Sequence, residues 1–284
     1  PGGKSLLSTR EQIKSYFPQS FSEYREPFIG GGGIFFSLPS AMPRWINDMN
    51  PALISLYQSL KQQPAEFIER CRSIPSPSRC HAGNSPSGPN VADTKRLEDL
   101  FYNLRDDDTA DPAFRYFFLN RCAWGGRVVL EPSRRNRTSF SNPKGWSQGV
   151  LGRLEGAARL LKDTKITCDD FASVFAAPGN DVLIYADPPY MSDTEYALSS
   201  QLYEKSFSVD DHRRLARCFA QCEHNVVLSY DDHPIIRDLY RDFDVQTASW
   251  TYMSSRTKRK GNELIITNFR GEPAFVASEH LVAA

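Results

Sequence analysis

The stretch that decides the fold is Asp181-Val182-Leu183-Ile184-Tyr185-Ala186-Asp187-Pro188-Pro189-Tyr190. Its apolar run, residues 182–186, is short and contains β-branched and aromatic residues, which is typical of a strand buried on both faces. Asp187 follows the carboxyl end of this strand, where open α/β sheets bind their ligands. A plain strand that ends in a proline turn, with Tyr190 packed on the core, would use the same residues.

A glycine loop follows another predicted strand near the amino terminus. Residues 22–29 form that strand, and Gly30 to Gly33 come directly after it. Residues 44–48 form the next strand and end in Asp48, and a helix begins at Pro51. Glycines let a backbone approach a ligand closely, and an acid at this place can bind ribose hydroxyls. Because the glycines match neither the phosphate-loop nor the dinucleotide pattern, the series indicates a nucleoside-bearing cofactor without a pyrophosphate.

The rest of the chain predicts a continuation of this α/β pattern around an insertion. Prolines, serines and glycines between residues 74 and 93 predict a loop, and residues 95–146 predict helical pieces and a basic stretch. Residues 225–229, 245–252 and 263–269 predict further strands, with a basic turn between the last two.

Composition excludes several classes of protein. The 284 residues are 40% apolar and 24% charged, which excludes a wholly disordered chain. The 34 basic and 34 acidic residues cancel, so a nucleic-acid surface has to come from local clusters of charge. There is no apolar run of the roughly 18 residues that span a membrane. The six scattered cysteines are interpreted as reduced thiols, without a metal site, in a cytoplasmic protein.

Six short motifs lie at residues 1–4, 26–33, 47–50, 119–121, 140–145 and 187–190. In this order they resemble the motifs of the Dam-like family of S-adenosylmethionine-dependent N6-adenine DNA methyltransferases in its alpha arrangement. The resemblance implies a Rossmann-like methyltransferase sheet, mostly parallel with a closing antiparallel strand. It also implies a catalytic, cofactor-binding domain of residues 1–60 and 150–284. Residues 61–149 would be a smaller, mainly helical DNA-recognition domain inserted into it.

The resemblance implies methyl transfer from S-adenosylmethionine to the N6 atom of adenine in double-stranded DNA. The target base would be flipped out of the duplex. The catalytic residues would be Asp187, Pro188, Pro189 and Tyr190. The carboxylate of Asp187 and the carbonyl of Pro188 would accept hydrogen bonds from the adenine amine, and Tyr190 would stack on the base. No metal is needed, and the expected enzyme is a monomer without membrane contact.

The resemblance also assigns residues to the cofactor and to DNA. Lys4 would lie near the methionine carboxylate, Asp48 would hold the ribose, and Asp170 would contact the cofactor adenine. The full expected cofactor set is Lys4, Phe28, Gly30, Gly32, Asp48, Asp170 and Asp187. The expected DNA-binding set is Asn120, Arg121, Arg127, Arg135, Arg137, Lys144, Lys258 and Arg259.

Two other functions use most of the same residues. An RNA adenine methyltransferase would carry the same catalytic acid, and a catalytically silent DNA-binding relative would carry the same fold. The intact tetrapeptide of residues 187–190 argues against the silent relative. Cytosine-N4 and protein-glutamine methyltransferases usually carry Ser or Asn in place of Asp187. A nicotinamide dehydrogenase is disfavoured by the broken glycine pattern.

Neutralising Lys258, Arg259 and Lys260 together should weaken binding to all DNA sequences alike, because phosphate contacts carry no base information. Each lost contact should lower the slope of log affinity against log salt by roughly one unit. DNA affinity measured at several salt concentrations for the triple variant and its parent tests this expectation. Equal slopes would show that this turn is a solvated run of charge.

Overall fold

The structure is a computed structural model that describes most of the chain. It covers residues 4, 6–77, 79–82, 85–130, 137–191, 207–252 and 259–269. For residues 79–82, 85–89, 250–252 and 259–261 it describes the backbone but not the side chains.

The described residues form both helices and strands. The helices are α1 (Leu7–Lys14), α2 (Pro51–Gln62), α3 (Pro64–Ser73), α4 (Val91–Asp106), α5 (Pro112–Cys122), α6 (Gln148–Leu151), α7 (Leu154–Leu161), α8 (Phe171–Ala176), α9 (Val209–Gln221) and α10 (Pro234–Leu239). The strands are β1 (Glu23–Glu26), β2 (Arg44–Asn47), β3 (Arg79–Ala82), β4 (Ser85–Pro89), β5 (Thr164–Thr167), β6 (Val182–Ala186), β7 (Asn225–Asp231), β8 (Asp244–Tyr252) and β9 (Arg259–Thr267).

Seven of these strands form one sheet in the order β5-β2-β1-β6-β7-β9-β8. The pairs β1–β2, β1–β6 and β6–β7 are parallel. Strand β9 runs antiparallel to both β7 and β8 and closes the sheet. The expected α/β class, with a mostly parallel sheet and antiparallel closure, is confirmed. All seven strands lie within residues 1–60 and 150–284.

Strand β6 occupies a central position in this sheet, between β1 and β7. Every residue of β6 is buried, as its unbroken apolar run predicts. Phe171 of α8 and Leu215 and Phe219 of α9 pack in the same core as Val182 and Ile184 of β6. Because β6 lies between β1 and β7, its carboxyl end is flanked by the carboxyl ends of two parallel neighbours.

A buried arginine fixes the approach of the chain to β6. Arg25 of β1 donates hydrogen bonds to the carbonyl oxygens of Ala177, at 2.7 Å, and of Pro178, at 2.8 Å. Its Nε also donates to Glu23, at 2.7 Å. These bonds satisfy a charge that would be costly to bury alone. They hold the turn that leads to Asp181, whose φ of 50° lies in the left-handed region.

The chain divides into two compact units. The sheet unit contains the described residues of Gly2–Met49, Thr167–Asp193 and Phe207–Ala284. The helical unit contains the described residues of Asn50–Ile166, with α2 packed on both α5 and α7. The boundary at residue 166 falls inside β5. The expected domain boundaries at 60 and 150, and the DNA-recognition role of residues 61–149, stay predictions.

Two features were not expected from the sequence. The predicted loop between residues 74 and 93 contains an antiparallel hairpin of β3 and β4. Strand β5, at one edge of the sheet, has only four residues, of sequence TKIT. In the part of the chain that the structure describes, no helix has the length and apolarity needed to cross a membrane.

His212 of α9 should make stability depend on pH. The side chain is 1% exposed, its Nδ1 contacts the Tyr230 hydroxyl, and its Nε2 has no hydrogen-bond partner among the described residues. Burial lowers the pKa of His212 to about 4. The unfolded chain binds this proton near pH 6.5. The free energy of unfolding therefore has its full value, as far as His212 is concerned, above pH 6.5. It falls by up to about 3 kcal/mol as the pH decreases toward 4, because the unfolded chain takes up the proton that the folded chain excludes.

Urea unfolding of the wild type and of His212→Gln between pH 7.5 and 4.5 tests this expectation. The free energy of unfolding of the wild type should fall more steeply over this range than that of the variant. Parallel curves would show that His212 does not titrate as its burial implies.

Candidate active site

Asp187 lies at the carboxyl end of β6, beside Ser229 of β7. The Ser229 hydroxyl donates a hydrogen bond to Oδ1 of Asp187, at 2.9 Å. The Tyr185 hydroxyl lies 2.9 Å from the same serine oxygen. Because Ser229 gives its proton to Asp187, Tyr185 is the donor in that second bond. This chain of hydroxyls fixes the carboxylate from within the sheet.

Lys4 and Tyr190 bind the same oxygen of Asp187. The Lys4 ammonium lies 3.2 Å from Oδ1, and the Tyr190 hydroxyl donates to it at 3.3 Å. Lys4 also donates to the Tyr190 hydroxyl. In the described part of the chain, all hydrogen-bond donors that reach the Asp187 side chain contact Oδ1. Its other oxygen, Oδ2, therefore has no hydrogen-bond donor among the described residues.

Glu263 of β9 is the second carboxylate in contact with Lys4. The ammonium lies 2.9 Å from Oε2 and 3.2 Å from Oε1 of Glu263. Both side chains are almost fully buried, at 3% and 2% exposure. Lys4 was expected near the methionine carboxylate of the cofactor. The structure places it between two protein carboxylates, and its contact with a methionine carboxylate stays a prediction.

The titration of this cluster follows from burial and from its mixed charges. Burial alone would lower the pKa of Lys4, but the charges of Asp187 and Glu263 outweigh it and raise that pKa above its ordinary value. Burial raises the pKa of Glu263, against the opposing charge of Lys4. Burial also raises the pKa of Tyr190, and the charge of Asp187 adds to this. Tyr190 is therefore neutral and Lys4 is charged at physiological pH.

The glycine loop lies after β1, and its glycines have different roles. Gly30 and Gly32 have φ values of 45° and 66°, which favour glycine. A Cβ at Gly33 would lie 2.7 Å from the carbonyl oxygen of Lys4, so this glycine lets the loop pack on residue 4. A Cβ at Gly30 or Gly31 would meet none of the described atoms within 4 Å, so the side of the backbone where a Cβ would stand at these two glycines is open within the described part of the chain.

Asp48 and Phe28 flank the glycine loop. Oδ2 of Asp48 accepts a hydrogen bond from the Gly30 amide, at 3.0 Å, which ties the acid after β2 to the loop after β1. The half-buried Phe28 ring packs against two other rings: its centre lies 5.3 Å from the ring centre of Phe171 and 5.9 Å from that of Phe207. The structure thus joins Asp48 to the glycine loop, and the Phe28 ring just before that loop packs on two other aromatic rings; a nucleoside site here stays a prediction.

Asp170 is held by protein partners. Its carboxylate accepts the Ala172 amide at the start of α8 and binds both terminal nitrogens of Arg214, at 2.8 Å each. Arg214 also lies over the Phe171 ring, 4.4 Å from its centre. The expected contact of Asp170 with a cofactor adenine stays a prediction, which has to accommodate this ion pair.

Expected DNA-binding residues of the helical unit make internal contacts. The Asn120 amide donates to the carbonyl of Gly126, at 2.6 Å. Arg121 donates to the carbonyl of Gly145, at 3.3 Å, and burial lowers its pKa. Arg137 forms an ion pair with Asp106, at 2.8 Å. These contacts support the fold of the unit, and a role in DNA binding would be additional.

The other members of that set are more open or lie outside the described residues. Arg127 and Arg137 line a pocket with Trp124, whose side chain is 56% exposed, and Lys144 is exposed. Arg135 and Lys258 lie outside the described residues, and of Arg259 only the backbone in β9 is described.

Sequence reasoning missed Ser229, Glu263 and Arg214. Ser229 is the last residue of a predicted strand. A polar side chain at that place could have indicated a residue of the site, because ligands bind at the carboxyl ends of parallel strands. Glu263 begins the final predicted strand, but nothing local connects it with Lys4, 259 residues away. Among the described residues, no group of three or more His, Cys, Asp or Glu is arranged to hold a metal ion.

Comparison with known proteins identifies the family. The family model for the D12 class N6 adenine-specific DNA methyltransferase matches residues 1–254. A type II methyltransferase, M1.LlaDCHI, of Lactococcus lactis subsp. cremoris is 25% identical over 94% of this chain and 93% of its own length. A DNA adenine methylase of Vibrio cholerae is 25% identical over 93% and 92%, and one of Salmonella typhi is 26% identical over 84% and 82%. The resemblance drawn from the motifs and the expected enzyme class are confirmed, and the chain belongs to the D12 class of N6 adenine-specific DNA methyltransferases.

Proposed function

We propose that this enzyme takes its methyl group from S-adenosylmethionine and transfers it to a flipped adenine held at Asp187–Tyr190. The observation that carries the proposal is the asymmetric binding of Asp187. Lys4, Tyr190 and Ser229 all bind Oδ1, and no described donor reaches Oδ2. A fixed carboxylate with one available oxygen is suited to accept a hydrogen bond from an amine.

The adenine amine needs such an acceptor because its lone pair is delocalised into the ring. In the proposal, Oδ2 of Asp187 and the carbonyl of Pro188 each accept one N–H of the amine. Two acceptors outside the ring plane favour tetrahedral geometry and localise the lone pair on nitrogen. Pro189 stiffens the backbone that positions these acceptors, because its φ is fixed. Positioning and charge, rather than covalent chemistry by the protein, supply the catalysis.

The glycine loop fits the proposed cofactor. S-adenosylmethionine supplies an activated methyl group on a positively charged sulfur. Gly30 and Gly31 leave open space beside the backbone, and Gly32 maintains the turn. Asp48 would accept hydrogen bonds from ribose hydroxyls, and Phe28 would cover an apolar face of the nucleoside.

The remaining cofactor assignments are constrained by the contacts of the site. The Lys4 ammonium lies 3.2 Å from Oδ1 of Asp187, so a methionine carboxylate bound to Lys4 would share this ammonium with Asp187. Asp170 would contact the cofactor adenine while it keeps its pair with Arg214.

DNA binding completes the proposal. A base inside a duplex cannot reach Asp187, so the adenine has to leave the stack, at a cost of a few kcal/mol. Tyr190 would stack on the extruded base. Arg127, Lys144 and the basic turn near residue 258 would bind phosphates or base edges of double-stranded DNA.

Transfer of label from S-adenosylmethionine to unmethylated DNA, RNA and protein tests the proposal directly. The wild type should label DNA, and nucleoside analysis should identify N6-methyladenine. Label in RNA alone would support the RNA adenine methyltransferase instead.

Asp187→Asn should lower the rate of transfer by about 100-fold or more, because an amide NH₂ would oppose the target amine where an acceptor is needed. Asp181→Asn is the matched control at the other end of β6. Its left-handed backbone tolerates Asn, and its side chain lies at the exposed end of the strand. Near-normal transfer by Asp187→Asn would refute the proposed role.

Gly31→Ala should weaken cofactor binding by about tenfold without lowering Tm, because its Cβ meets no protein atom and would enter the ligand space. Gly149→Ala is the control, since its Cβ also meets no atom within 4 Å but lies in α6. Cofactor affinity by calorimetry and Tm by thermal unfolding provide the readouts. Unchanged affinity in Gly31→Ala would place the cofactor elsewhere.

A further inference from the structure

Glu263 is a buried carboxylate that the proposed reaction does not use. It is 1% exposed and lies in β9, where its register partners are Asp231 of β7 and Ala248 of β8. Its carboxylate contacts the Lys4 ammonium, which in turn contacts Asp187. The two acids and one ammonium carry a net charge of about −1 when all three are ionised.

This net charge matters because methyl transfer moves positive charge onto the target nitrogen. The N6 lone pair forms the new bond to the methyl carbon while the carbon–sulfur bond breaks. The electron pair of the broken carbon–sulfur bond stays on sulfur. The nitrogen becomes positive and afterwards gives a proton to water. A fixed negative charge near that nitrogen stabilises the transition state.

Lys4 and Asp187 alone would cancel each other's charge. With Glu263 in place, Lys4 is shared between two acids, and the cluster that contains Asp187 keeps one net negative charge. We infer that Glu263 is a positioning residue of the methyl transfer: it holds Lys4 and keeps the catalytic cluster negative. This inference rests on the proposed function, because it assumes that the adenine amine binds at Asp187.

The first test is Glu263→Gln, which keeps the shape and a carbonyl acceptor for Lys4 but removes the charge. Single-turnover transfer from S-adenosylmethionine to DNA that lacks adenine methylation should fall by about tenfold or more. Dissociation constants for the cofactor and for DNA should stay within about twofold of the wild type, because Glu263 is not placed in contact with either. Asn262→Ala, at the adjacent exposed position of β9, is the control and should keep the wild-type rate.

The second test restores the charge by a different route. In the double variant Lys4→Met/Glu263→Gln, Asp187 is the one charged group left among the three, and the net charge returns to −1. Oδ1 of Asp187 is still bound by Ser229 and Tyr190. The double variant should therefore transfer methyl groups several-fold faster than Glu263→Gln. This rescue would not occur if Glu263 only supported the packing of β9.

The outcomes separate the two proposals. A wild-type enzyme that transfers no label to DNA would refute the proposed function and, with it, this inference. An active wild type with an equally active Glu263→Gln variant would refute the inference alone. A double variant that is slower than Glu263→Gln, with unchanged Tm, would also refute it, because charge balance would not be what limits the rate.

Discussion

The site depends most on the contacts of the Lys4 ammonium with two carboxylates. It joins three distant parts of the chain: the amino terminus, the carboxyl end of β6 and the final strand β9. A buried ammonium is unfavourable unless carboxylates surround it, and either carboxylate would be unfavourable without the ammonium. The three groups therefore hold one another in place. Gly33 contributes by letting the loop after β1 pack against the backbone of residue 4.

The features that the sequence predicted correctly are those that depend on neighbouring residues in the chain. The run 182–186 became a fully buried strand because its residues are apolar throughout, and α2 begins at Pro51 because Asn50 caps it. The position of Asp187 at a strand end follows from the same local reasoning. The glycine loop and Asp48 were brought together, as two adjacent parallel strands require.

The features that the sequence did not reveal depend on tertiary contacts. Strand β4 contains two prolines and a glycine, which disfavour strands, yet it pairs antiparallel with β3. Strand β5 is too short to show periodicity, and its strand conformation depends on pairing with β2 at the sheet edge. The partners of Lys4 and Asp170 could not be deduced either, because a charged residue by itself does not indicate which opposite charge the fold brings to it. Asn120 and Arg137 are predicted to contact DNA, and the structure shows that both make contacts within the protein. Their residue types did not indicate these internal partners.

The separation of Lys4 and Glu263 along the chain has a consequence for biosynthesis. Lys4 leaves the ribosome 259 residues before its partner. At ordinary elongation rates this delay lasts roughly 15 to 50 seconds. During that time the amino-terminal lysine and the nascent strand β6 lack the acid that completes their charge balance. The cluster of Lys4, Asp187 and Glu263 can therefore form only when strand β9 has been synthesised, so a partly made chain holds Lys4 and Asp187 without their final arrangement.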